Sequence, residues 1–240
     1  MMSLINVRRQ IVYLVAGLFL VVNLSTLSYA ETNYGELLTI LQKGELNKIM
    51  DDARKALERN PDDKDSLTTL GVAYHNLSTI GVKKAAQKAV EYLKKANKLY
   101  PDDALVLAML GSSTTLIGKY AKDKVTEGRK YTNKGAGLID RAVMKDPDHI
   151  LVRMVRANNS RGLPKMFGRR HYFRDDMLHV EKLINKSPGK FHVILQSQVY
   201  YKLGTAFASD GDDAKAKSYY KKSFEVAPDS KFGKKAKREL

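Results

Sequence analysis

The stretch that most constrains this chain is Tyr200 to Pro228, YYKLGTAFASDGDDAKAKSYYKKSFEVAP. Tyr200, Leu203, Gly204 and Phe207 recur at spacings of three and four, as do Ala216, Tyr220 and Ser223. Such spacings gather side chains on one face of a helix. Between the two sets, Asp210-Gly211-Asp212 supplies a turn in which Gly211 is free to take a positive φ. Gly204 and Ala216 let two antiparallel helices come close, while Tyr200, Leu203, Phe207 and Tyr220 fill the space around them. Pro228 ends the second helix, because the residue before a proline is pushed out of helical conformation.

The same grammar recurs upstream. Leu70-Gly71-x2-Tyr74 leads to Ala89, Leu93, Ala96 and Pro101; Leu110-Gly111-x2-Thr114 leads to Gly135, Ile139, Ala142 and Pro147. A degenerate copy runs from Arg156-Ala157 to Val180, Leu183 and Pro188, and a first copy has Leu37 in the glycine slot and ends Ala53, Ala56, Pro61. The pattern predicts helices at about 33–43, 45–59, 63–79, 83–99, 103–119, 125–146, 149–162, 169–186, 190–209, 212–226 and 230–239. Asp62/Asp63, Asp102/Asp103 and Asp212/Asp213 fall at helix starts, where Asp caps orphan N–H groups and complements the macrodipole.

The spacing also varies. Gly204 to Pro228 spans 24 positions, but Gly71 to Pro101 spans 30, Gly111 to Pro147 spans 36 and Ala157 to Pro188 spans 31. The three middle hairpins therefore carry about 6, 12 and 7 extra residues, expected at their internal turns. Pro188 to Gly204 is 16 positions where ten is usual, so either the first helix of the last hairpin is longer or the stacking breaks there.

These motifs resemble the tetratricopeptide repeat, over about residues 33–240, with Ser223 as a departure where the family favours Ala. The resemblance implies an all-α, right-handed solenoid of four to five helical hairpins with a concave groove and a role in binding other proteins. Its repeats fall at about 33–61, 64–101, 104–147, 150–188 and 195–228, with a polar closing helix at 230–239. Some relatives clamp a peptide carboxylate with Lys, Arg and Asn on several first helices. Here Arg153, Arg156, Asn158 and Arg161 lie on one such helix, while neighbouring repeats offer Ala108, Met109, Ser112 and Thr115, so that clamp does not carry over.

Residues 1–30 have the layout of a cleavable secretory signal: Arg8 and Arg9, an apolar run from Ile11 to Leu24, then Ser28-Tyr29-Ala30. A run of 14 is short of the roughly 20 needed for a permanent span, although an uncleaved anchor is the alternative. The expected product is one domain over 31–240, exported and periplasmic. The chain has no cysteine, which excludes disulfides, thiol nucleophiles and zinc–thiolate sites. Removing the leader's two arginines lowers the net charge from +16 to +14.

Most of that charge lies in the inserts. Ser78–Lys88 carries +3, Ile117–Gly135 carries +4 and Arg161–Arg174 carries +5. Stacked on one edge, they would meet an anionic partner or membrane surface; the alternative is solvated turns that maintain solubility. The third insert, RGLPKMFGRRHYF, mixes arginines with apolar residues around Pro164, Gly162 and Gly168. It is either a plug folded onto the solenoid or an exposed contact surface. The candidate partner-binding residues are Arg153, Arg156, Asn158, Arg161, Lys165, Phe167, Arg169, Arg170, Tyr172 and Arg174.

His171, Asp175 and His179 share a helix face, but a rise of about 12 Å across eight residues is long for one metal ion, so a surface helix with ion pairs is expected. No GxSxG, HExxH or phosphate-cradling glycine loop occurs. The chain is expected to bind rather than catalyse, without cofactor or nucleic acid. Its partner is read as an envelope protein or peptide. The alternative is a binding component of an envelope transport system, taking a small ligand or a solute-binding subunit.

Overall fold

The computed structural model describes residues 37, 42–121 and 125–240. The chain divides into two compact units, Met1–Thr39 and Ile40–Leu240, and of the first only Leu37 is described. The leader, the expected helix over 33–43 apart from Leu37, Gln42 and Lys43, and Lys122, Asp123 and Lys124 of the second insert lie outside the described residues.

The second unit is built of helices: α1 (Lys43–Arg59), α2 (Lys64–Thr79), α3 (Ala85–Leu99), α4 (Ala104–Tyr120), α5 (Val125–Lys145), α6 (Ile150–Gly162), α7 (His171–Lys186), α8 (Val193–Ser209), α9 (Asp213–Val226) and α10 (Lys231–Lys237). Among the described residues there is no strand. Helices α2/α3, α4/α5, α6/α7 and α8/α9 pair as hairpins, and α1/α2, α3/α4, α5/α6 and α7/α8 pack between repeats. The result is the helical-hairpin solenoid expected from the sequence.

Punctuation is local. Helices α1, α3, α5, α7 and α9 each stop two residues before Pro61, Pro101, Pro147, Pro188 and Pro228 respectively. Asp63, Asp103 and Asp212 cap the next helix by accepting from the N–H of Ser66, Val106 and Lys215 at 2.8, 2.9 and 3.1 Å. Gly211 turns the last hairpin at φ 82°.

Leu67, Leu70, Leu93, Met109, Ile139, Met177, Ile184 and Leu203 are fully buried. The glycines lie where the backbones meet. A Cβ on Gly204 would stand 2.6 Å from the Tyr220 ring, and one on Gly111 the same distance from the Gly135 carbonyl oxygen. The serine at the alanine slot has its own reason: Ser197 and Ser223 are buried and each hydroxyl donates to the other's carbonyl oxygen at 2.8 Å.

The extra residues are distributed in two ways. The connections at 80–84, 121–124 and 163–170 are longer than the three residues at 210–212, and the remainder lengthens helices, with α5 at 21 residues against 14 for α9. The long α4/α5 pair stays close because Gly118 meets Gly128 about two turns beyond the Gly111–Gly135 contact. The spacing before Gly204 is likewise resolved: α8 begins eleven positions before it, whereas α2, α4 and α6 begin seven before Gly71, Gly111 and Ala157. That is one extra helical turn, preceded by the 3-10 turn Pro188–Lys190, and α8 still packs on α7.

Candidate functional site

The second and third inserts meet. A cleft of about 590 Å³ is lined by Lys119, Val125 and Arg129 among others from the second and Leu163, Met166 and Phe167 among others from the third, with Thr79 at the end of α2 beside them; the connection at 80–84 and the cations of the first insert do not line it. Its floor comes from successive first helices: His75 of α2, Ser112 and Thr115 of α4, Asn158 and Asn159 of α6. Its walls are apolar, and two large apolar side chains on it are open to solvent, Val125 at 75% and Met166 at 67%. Its charged side chains are Lys119 and Arg129, both exposed and without an ion pair among the described residues.

The floor is polar and ordered. His75 Nδ1 lies 3.1 Å from Ser113 Oγ. Burial lowers the His75 pKa to about 4, so the ring is neutral at ordinary pH. Asn159 Nδ2 donates to Thr115 Oγ1 at 2.6 Å.

Beside the cleft, the third insert is fastened to the helices. Asp176 on α7 is fully buried and accepts from Arg153 at 2.9 Å and from Arg156 at 2.8 and 2.6 Å. Arg169 makes two bonds to Asp140 of α5, at 2.8 and 2.6 Å. The Tyr172 ring packs against the guanidinium groups of both Arg156 and Arg169, 4.2 and 4.7 Å from its centre. Gly168 permits the reversal, at φ 67° after the 3-10 turn Lys165–Phe167.

The ten residues singled out in the sequence therefore divide. Arg153, Arg156, Arg169 and Tyr172 form this internal network. Arg161 lies over the Phe173 ring at 4.8 Å, and Arg174 pairs with Asp210 across to the last hairpin. Asn158 and Phe167 line the cleft, while Lys165 and Arg170 are exposed beside it. Asn158 also accepts from Lys202 Nζ at 2.6 Å; burial, with Arg161 and Lys235 nearby, lowers the Lys202 pKa to about 8.

Sequence reasoning passed over His75, Thr115, Lys119, Arg129 and Asn159 as site residues. Thr115 and Asn159 sit four and two positions after the Gly111 and Ala157 slots, and that offset was the available signal. His179 pairs with Asp148 at 2.7 Å and His171 Nδ1 lies near the Gly168 carbonyl oxygen at 3.1 Å. Among the described residues no group of three or more His, Asp or Glu side chains is placed to hold a metal ion.

The tetratricopeptide-repeat family matches the chain at residues 197–230. A thermophilic tetratricopeptide protein of Thermus thermophilus has a similar fold, with a TM-score of 0.63 at 17% identity, over 82% of this chain and 91% of that one. A crystal structure of MamA aligns with a TM-score of 0.45 at 22% identity, over 81% of this chain and 93% of that one. No curated protein matches the sequence. Residues 197–230 are thus a tetratricopeptide repeat, and the helices around it fold as a tetratricopeptide-type hairpin solenoid.

Proposed function

We propose that the protein is an exported, periplasmic adaptor that holds a protein or peptide partner of the cell envelope at the cleft between its middle hairpins. The observation that carries this reading is the convergence of the second and third inserts on one apolar, cation-rimmed cleft. Insertions in stacked repeats emerge on a shared side, and tetratricopeptide solenoids serve as interaction scaffolds. The leader layout of residues 1–30 supports export. A second reading, a small-ligand component of a transport system, draws support from the cleft's volume of about 590 Å³, within the range of pockets that enclose small molecules.

Two measurements test the proposal. Edman sequencing of the protein from the periplasmic fraction should begin at Glu31; retention of Met1 in the membrane fraction would replace export with tethering. A photo-crosslinking amino acid at Met166 should capture one recurrent protein in intact cells, and the same probe at Lys234 should not. Absence of any protein adduct, together with a small molecule released from the purified chain, would favour the transport reading.

A further inference from the structure

The connection of the first insert takes no part in the cleft, and it presents a chemistry of its own. Residues 80–84, Ile-Gly-Val-Lys-Lys, are exposed throughout and include no carboxylate. Ile80 and Val82 stand 41% and 40% open to solvent. The backbone between them is closed on itself. The N–H groups of Ile80, Gly81 and Val82 donate to the carbonyl oxygens of Asn76, Ser78 and Leu77 at 3.2, 3.1 and 3.0 Å, with Gly81 at φ 106°. The Val82 carbonyl oxygen accepts in turn from Ala85 at 2.9 Å. A tip satisfied in this way can leave water without stranding those groups, which is what entry into a bilayer interface requires.

Cations surround the aliphatic pair. Lys83 and Lys84 are exposed and make no ion pair among the described residues. Lys84 holds the N-cap position of α3 without capping it, where a cation opposes the helix macrodipole. A third lysine comes from the next hairpin. The Tyr120 hydroxyl donates to the Ser78 carbonyl oxygen, the acceptor that Gly81 also uses, and the exposed Lys119 ammonium lies 5.8 Å from the Tyr120 ring centre. Long lysine stems let an ammonium reach outward to phosphates while the tip between them sits deeper.

We propose that the 80–84 turn is a membrane-contact tip for an anionic phospholipid bilayer. Ile80 and Val82 enter the boundary between headgroups and acyl chains, and Lys83, Lys84 and Lys119 meet the phosphates. This goes beyond the adaptor reading and does not depend on it. A folded protein surface is the rival occupant. Apart from its lysines, the turn has no hydrogen-bonding side chain, so little in it would fix the register of such a partner. A fluid lipid surface needs no register, only apolar insertion and opposite charge.

The chain has no tryptophan, so Val82→Trp in the mature protein is a single fluorophore at the tip. With vesicles of equimolar phosphatidylglycerol and phosphatidylcholine, its emission should shift to shorter wavelength and be quenched by brominated acyl chains. Met144→Trp, at an exposed site in the last turn of α5, should show neither change. Flotation then measures the affinity of proteins without the fluorophore. Lys83→Gln with Lys84→Gln should weaken binding about thirtyfold, and Ile80→Ser with Val82→Ser about tenfold. Lys234→Gln with Lys235→Gln should stay within about twofold of the native protein. Circular dichroism checks that each variant keeps its helicity. No binding to the mixed vesicles, or an affinity untouched by the Ile80 and Val82 replacements, would overturn the proposal. So would an equal loss from the α10 replacements, because net charge and not the tip would then hold the protein. A photo-crosslinker at Val82 that captures a protein, with no lipid quenching of Val82→Trp, would assign the tip to the rival occupant. The adaptor reading is judged separately, by the crosslink at Met166.

Discussion

Arg169 reaches from the third insert to Asp140 on α5 and grips its carboxylate with two hydrogen bonds, at 2.8 and 2.6 Å. Arg170, the next residue, is exposed and makes no ion pair among the described residues. Two adjacent cations that look alike in the sequence therefore act differently. One ties the insert to the solenoid, and the other faces solvent at the start of α7.

Charge reversal should separate them. Arg169→Glu sets a second carboxylate against Asp140 and removes a bidentate, part-buried pair, so thermal unfolding should register a loss of about 2 kcal/mol. Arg170→Glu should stay within about 0.5 kcal/mol of the native protein. Equal melting temperatures for the two variants would show that the Arg169–Asp140 contact adds nothing to stability.

The helix contacts predict a graded response to added methyl groups. At Gly204 a Cβ meets the Tyr220 ring at 2.6 Å, a side chain that can move, and Gly204→Leu should cost about 1–3 kcal/mol. At Gly111 the Cβ meets the Gly135 carbonyl oxygen at 2.6 Å, which moves only with its helix. Gly111→Ala should therefore destabilise more than Gly204→Ala in denaturant titration. The reverse order would mean that α4 and α5 separate freely.

The hairpins were legible in the sequence because their signals are local. Asp63, Asp103 and Asp212 cap where they were expected to, and each proline stops the preceding helix. The candidate site was only half legible. The inserts pointed to the cleft, yet net charge alone does not show which cations find carboxylates. Asp140 lies 29 positions from Arg169, and Asp176 lies 23 from Arg153, so no local pattern joins them. The polar floor was hidden for a related reason. His75, Thr115 and Asn159 come from three repeats and meet only when those repeats stack.

His75 gives the cleft a pH dependence. Burial holds its pKa near 4, below the ordinary 6.5, so the folded state favours the neutral ring. Between those values the unfolded chain binds a proton that the folded chain does not, and stability rises with pH. The contribution is complete above about pH 6.5 and is lost as pH falls towards 4. Melting temperatures of the native protein and His75→Gln should converge over that window on acidification. A constant difference from pH 7 to pH 4 would place the titration elsewhere.

The cations at two helix starts offer a test in which stability and binding have opposite signs. Lys84 and Arg170 occupy the N-cap positions of α3 and α7, neither makes a side-chain cap, and neither helix has an acid in its first turn. A cation there opposes the macrodipole, whereas a carboxylate favours it by about 0.3–1 kcal/mol. If the charge serves only solubility, Lys84→Glu with Arg170→Glu should raise the melting temperature slightly and leave association with the captured partner unchanged. If the edge draws in an anionic partner, the same variant should be as stable or more so, yet bind more slowly. Its on-rate deficit should vanish as salt shortens the screening length from about 8 Å to about 3 Å. Lys234→Glu with Lys235→Glu, on α10 at the far end of the array, should have little effect on that rate. Stopped-flow association at several salt concentrations decides the question, and equal rates for all three proteins would leave the basic edge as a solubility feature.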